Sequence, residues 1–303
     1  MRRSTSCSHQ CDLVLARCDE SLDWLVPTAP QYRRVIVYNK CGSRLGKEDE
    51  ERAIKLQANV QVLEAPNVGS NDFAILNHVI SHYNDLSPLT VFCEAGQPSV
   101  CEPHTVVRPT GLSKRIPVPY LPLSQFGAKP PFTFNPSKHH MDLAKFSSSW
   151  WGNCSYGYAH TPGRHHQFVR SGFDSYGEWL AYTMGDELAA DLLANRKSVL
   201  VLQGFFSAER DNLRRYPVQL YQAMARQQRY PNSEIDHFIE RSWGLLLTAN
   251  RTRPFRGATS ISRRQQQQRQ QWAASIIPPR PCTEEDVRRY RTTSNRYLLH
   301  HGR

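Results

Sequence analysis

The chain has 303 residues, 39% of them hydrophobic, enough for a sizeable core in one large domain or two small ones. Its formal charge of +11 sits at the end: residues 251–303 hold 12 of the 38 Lys and Arg but 3 of the 27 acids, leaving 26 basic and 24 acidic residues before them. A nearly neutral body argues against a nucleic-acid-binding core, and no run approaches the ~20 apolar residues of a membrane span.

Taken in chain order, the first element is a short apolar run, Cys11 to Arg17, which reads as a buried strand. Asp19, Glu20 and Ser21 follow, and then a helical turn in Ser-Leu-Asp-Trp-Leu. Arg34 to Lys40 is a second strand, closed by Cys41 and Gly42, and the charged stretch from Gly46 to Gln57 is a solvated helix or loop. A third strand, Asn59 to Ala65, ends at Pro66. Phe73, Leu76, Ile80 and Tyr83 then recur at helical spacing, with Ser70 or Asn71 as the expected N-cap. Leu89 to Gly96 is the fourth strand. Apolar strands alternating with helical segments predict an α/β fold with a mostly parallel sheet flanked by helices.

From Gln97 to Gly172 the chain turns to Pro, Gly, Ser, His and aromatics without a sustained period, a long irregular insertion of the kind that forms functional lids. Regular structure resumes with a helix over Phe173–Ala194, a strand over Ser198–Phe206, helical segments on both sides of Pro217, and a helix over Ser233–Leu247. Residues 11–249 are therefore expected to form a single domain containing the 97–172 insertion. The Arg- and Gln-rich tail at 250–303 is expected to be largely disordered, because it cannot bury enough apolar surface. Such a tail supplies at most weak, nonspecific contact with nucleic acid.

The eight cysteines, at 7, 11, 18, 41, 93, 101, 154 and 282, include no Cys-x-x-Cys pair and no zinc spacing. They read as reduced thiols, Cys93 among them as a small buried apolar residue. The N-terminus lacks an apolar signal core, so a soluble, cytoplasmic protein is expected. His139-His140 and His165-His166 have no regular partner spacing and read as surface or acceptor-loop residues.

In open α/β sheets, ligands bind beyond the carboxyl ends of the strands. Arg17, Asp19 and Glu20 follow the first strand, Asn39 and Lys40 end the second, and Glu94 and Gln97 flank the end of the fourth. Asn67-Val68-Gly69-Ser70-Asn71-Asp72 joins the third strand to a helix. Gly69 there permits close backbone approach, and the helix start offers N–H groups to an anion such as a diphosphate. Each residue alone fits a plain strand-to-helix turn; their convergence on one edge points to a site.

The order of short motifs resembles a known family. Ala16-Arg17-Cys18-Asp19-Glu20 with Leu22 and Trp24, Tyr38-Asn39-Lys40, Asn67-Val68-Gly69 with Asn77 to Ile80 and Tyr83, and Asp85 to Pro98 are similar to successive motifs of the uncharacterised domain-of-unknown-function family 3431. So are Phe206-Ser207, Pro217, Tyr221 and Glu240-Arg241-Ser242-Trp243. The resemblance spans roughly Asp12 to Leu247 outside the insertion. It implies a Rossmann-like, GT-A-like glycosyltransferase core with a nucleotide-sugar across the strand ends. It also implies donor contacts at Arg17, Asp19, Glu20, Asn39, Lys40, Asn67, Gly69, Asn71, Asp72 and Gln97.

Enzymes of that type commonly hold a divalent metal with Asp-x-Asp after the fourth strand, where this chain has Glu94-Ala95-Gly96-Gln97. Ser70-Asn71 likewise replaces the family's Arg-Glu. Mn or Mg would then rest on Glu94 with substrate phosphates and water. Asp236 and Glu240, four apart on one predicted helix face, are the candidate catalytic bases for an unknown acceptor; a structural ion pair beside Trp243 is the other reading of Glu240-Arg241. The expected function is a glycosyltransferase-like transfer from a nucleotide-sugar. The alternatives are a non-catalytic nucleotide-sugar or glycan binder, and an RNA-associated protein acting through its tail.

Overall fold

The computed structural model describes residues 10–42, 48–96, 106–107, 116–117, 169, 171–194, 204, 206–231 and 233–248. The alternation of apolar runs with helical segments produces one five-stranded sheet. β1 (Cys11–Arg17), β2 (Arg34–Asn39), β3 (Val60–Glu64) and β4 (Leu89–Glu94) are parallel, and β7 (Phe206–Glu209) is antiparallel to β4. The order is β3-β2-β1-β4-β7, so the chain reverses its direction of growth between β1 and β4. Two-residue strands β5 (Val106–Val107) and β6 (Ile116–Pro117) form a separate hairpin.

The central strands are buried on both faces, which is why they read as continuous apolar runs rather than alternating ones. On one face Leu13, Leu15, Val35, Val37, Val91 and Cys93 pack beneath α1 (Leu25–Thr28), the 3-10 turn Ala29–Gln31 and α2 (Glu48–Lys55). On the other, Val14, Ala16, Ile36, Tyr38, Phe92 and Phe206 meet a larger layer. That layer contains α3 (Ser70–Ser81), α4 (Tyr176–Met184), α5 (Asp186–Ala194), α6 (Arg210–Leu213), α7 (Val218–Ala225) and α8 (Glu234–Thr248). His78 lies fully buried in it against Phe92 and His82; burial holds its imidazole well below the usual histidine range, hence neutral.

Three expectations are corrected. The strand expected to end at Phe206 begins there, because Phe206–Glu209 pairs with Phe92–Leu89 and so draws Ser207–Glu209 out of the expected helix. The helix expected over Phe173–Ala194 breaks at Gly185, whose φ of 85° ends α4 before α5 starts. The N-cap of α3 is Gly69, not Ser70 or Asn71. Most of the 97–172 insertion, including His139-His140 and His165-His166, lies outside the described residues, as does the whole 250–303 tail.

Candidate functional site at the carboxyl edge of the sheet

The strand ends β3, β2, β1 and β4 open on one edge, which contains the reversal point between β1 and β4. Register pairs Arg17 with Asn39 and Asn39 with Glu64, so these three side chains share the α1–α2 face. They form a relay: Arg17 Nη1 donates to Asn39 Oδ1 at 2.6 Å, and Asn39 Nδ2 donates to Glu64 Oε1 at 2.9 Å. Arg17 Nε also donates to the Glu20 carbonyl at 2.8 Å. Glu20 Oε2 accepts from the Cys18 and Asp19 amides at 2.6 and 3.2 Å. The loop after β1 is thus folded around its own charges, with Arg17 buried and Asp19 exposed. Glu64 ends a strand as the other site residues do, yet the sequence reading passed over it.

On the opposite face, Glu94 shares register with Ala16, and Lys40 follows Tyr38. Lys40 is buried beneath the start of α3: its ammonium donates to the Ser70 carbonyl and lies 5.9 Å from the Phe73 ring centroid. Burial pulls its amine down to about 8, against Asp236, Asp72 and Glu20, which favour the cation. Asp72 is also buried and accepts from the Trp243 indole N–H at 2.7 Å. Burial, then the nearby Glu240, pushes its carboxyl well above the usual range. Asp236 accepts from the Ser233 amide at 2.9 Å, and burial raises it too. Glu240, half-buried, receives Arg241 Nη1 at 3.2 Å.

The late helix α8 is therefore linked by charge to Lys40, just past β2, and to Asp72 in the first turn of α3. Asp236 and Glu240, two of its three acids, do not have equal access, however. Asp236 is 2% exposed and serves the start of α8, whereas Glu240 is reachable. Arg17, Asn39, Lys40, Gly69 and Asp72, expected to touch a donor, are buried supports. Asp19, Glu20, Asn67, Asn71 and Glu94 remain partly or fully accessible, and Gln97 lies outside the described residues. Among the described residues no group of three or more His, Cys, Asp and Glu is arranged to hold a metal.

Gly69 is the pivot of the β3–α3 turn. Its φ is 68°, and Ser70 follows at 47°. Its amide donates to the Tyr230 carbonyl at 2.9 Å, and its carbonyl accepts from Gln228 Nε2 at 3.0 Å. A Cβ on Gly69 would stand 2.4 Å from Gln228 Nε2 and 2.5 Å from Cδ. Gln228 is buried and bonded back to this same residue, so it cannot swing clear without losing that bond. Gly69→Ala is expected to cost roughly 2–4 kcal/mol, combining left-handed strain with overpacking. Urea unfolding checks this, and a Gln228→Ala background that restores nothing would contradict it.

The cysteine expectation is corrected here. Cys18 and Cys41 follow the adjacent ends of β1 and β2, with Cα atoms 4.7 Å apart, and form a disulfide across the edge. Their separation of 23 residues hid a pairing that only the parallel register creates. Cys11 is disulfide-bonded as well, while Cys93 is a buried free thiol as expected. These bonds remove the reduced-thiol support for a cytoplasmic location. No helix among the described residues is long and apolar enough to cross a membrane.

A pocket of about 400 Å³ lies at the other, amino edge, lined by Arg33, Arg34 and the residues from Ala58 to Gln61. Its arginines are engaged by Asp12 and Asp85, which makes it a structural clamp rather than a competing site. No family model, no curated protein and no solved structure matches the chain.

Proposed function

We propose that the chain is glycosyltransferase-like, with a Rossmann-like, GT-A-like core that binds a nucleotide-sugar across the carboxyl edge and transfers the sugar to an acceptor. The observation supporting this reading is that α8 brings Asp236 near Lys40, just past β2, and Glu240 near Asp72 at the start of α3, on the edge that holds the reversal point, where open α/β sheets bind ligands. The amino end of α3, beginning at Ser70, lies at the same edge and favours a diphosphate. Asp19, Glu20 and Asn67 offer polar contacts to the rest of the nucleotide.

In the proposed step, Glu240 takes the proton of the acceptor hydroxyl. The acceptor oxygen bonds to the anomeric carbon while the bond to the diphosphate oxygen breaks. The leaving group keeps that electron pair, and the α3 terminus stabilises its charge.

A melting screen of nucleoside diphosphates and their sugars, with and without Mn²⁺, tests the reading. A ligand at a hundred times its Kd adds about 2.7 kcal/mol, hence several degrees of melting temperature. Glu240→Gln is expected to keep that shift and lower turnover about a hundredfold or more. No shift with any nucleotide would refute the reading; a shift without turnover in the wild type would make the chain a non-catalytic binder.

A further inference from the structure

The Cys18–Cys41 disulfide has a position that a simple staple does not need. The β1–β2 ladder is complete without it: Arg17 pairs with Asn39, and the Lys40 amide donates to the Arg17 carbonyl at 2.8 Å. The bond therefore joins the two segments that leave the sheet, and both carry site residues. One holds Asp19 and Glu20, whose Cγ lies 3.2 Å from where a Cβ on Gly96 would stand, so this loop touches the β4 end as well. The other holds Lys40, which reaches beneath the α3 start. Cys18 and Cys41 are both half-buried at the rim. Arg17 Nη1 donates to the Cys18 carbonyl at 3.2 Å, which ties the backbone beside the disulfide to the end of β1.

We propose that Cys18–Cys41 is a redox latch on the ligand-binding edge, closed when oxidised and opened by a dithiol reductant. One thiolate of the dithiol attacks a latch sulfur, forming a mixed disulfide and releasing the other cysteine as a thiolate, which takes up a proton. The second dithiol sulfur then closes on the first and releases the remaining cysteine. The protein gains two electrons and two protons, and the dithiol becomes a cyclic disulfide. Opening frees the 18–20 loop from the 40–42 segment while the sheet persists. The effect on ligand binding rests on the function proposed above; the latch itself does not.

Amide hydrogen exchange on the full chain tests this, comparing the oxidised protein, the dithiothreitol-treated protein and the Cys18→Ser/Cys41→Ser variant, which keeps the Cys11 disulfide. Exchange at Cys18 and Asp19 is expected to rise at least tenfold in both open forms, with Leu13–Leu15, Val35–Val37 and Lys40 still protected. The melting shift given by uridine diphosphate should shrink in parallel. Unchanged exchange, or loss of protection throughout β1 and β2, would overturn the latch. Looser loops with no nucleotide shift in any form would uphold the latch and count against the nucleotide reading.

Discussion

Trp243→Ala should cost about 3–5 kcal/mol, the range for emptying a fully buried aromatic site. Trp243 is completely buried; its ring stacks on Tyr221 at 6.3 Å and packs against Phe206 at 5.4 Å, joining α8 to α7 and β7. Its indole N–H ties α8 to α3 through Asp72. Trp243→Phe keeps most of the packing and removes only that donor, for about 1–3 kcal/mol. The second variant carries a pH signature. Burial and Glu240 raise the folded-state pKa of Asp72 above its unfolded value, so the folded chain holds this proton more tightly. Its stabilising contribution is complete below the unfolded pKa and is lost as pH rises through the folded pKa. Trp243 favours the carboxylate and limits that loss. Trp243→Phe should therefore cost little in acid, where Asp72 is protonated in both proteins, and more at higher pH. Denaturant unfolding at several pH values measures this, and a penalty that does not grow with pH would show that Asp72 is not the linked group.

Asp12→Ala should cost about 2–3 kcal/mol, because it strips a buried acceptor from two arginines that keep partial access to water. Asp12 is fully buried at the start of β1. Its oxygens receive Arg33 Nε and Nη2 at 2.8 and 2.9 Å, and Arg34 Nη2 at 2.7 Å. Arg34 continues to Asp85 at 3.2 Å, so the clamp gathers β1, β2 and the α3–β4 connection. Arg33→Ala should cost only about 1 kcal/mol, since its side chain is 36% exposed and Arg34 still satisfies Asp12. This clamp sits at the amino edge, away from the proposed site. Asp12→Ala protein that remains folded should therefore bind nucleotide as the wild type does, and equal losses of affinity and stability would show the two edges to be coupled.

The sheet was legible in the sequence because its strands are buried on both faces and so read as apolar blocks, each closed by a polar group. Their polar ends were legible for the same reason: a hydrophobic run stopping at Arg17, Asn39 or Glu94 marks where the chain leaves the core. Which of those groups are supports and which are accessible was not legible. Lys40 and Asp72 look like surface charges, yet α8 closes over them from about 170 residues later in the chain. That packing also separates Asp236 from Glu240, although both lie on one helix. The disulfide was hidden because parallel pairing brings the ends of consecutive strands together however long the connection between them. Glu64 was missed although it carries the same strand-end signal as its neighbours. β7 was displaced because the boundary of a short edge strand is set by its partner, here Phe92 to Leu89, rather than by its own composition.

The central claim is that one ligand site spans the carboxyl edge from β1 to β4 with α8 behind it. Titrating isotope-labelled protein with a uridine diphosphate-sugar, and following backbone amide shifts by NMR, tests that claim most directly. Saturable shifts are expected, concentrated at Cys18 to Glu20, Lys40, Ser70, Asn71, Ala95 and Gly96. Shifts confined to Arg33, Arg34 and Asn59 to Gln61, or to residues after 250, would contradict it.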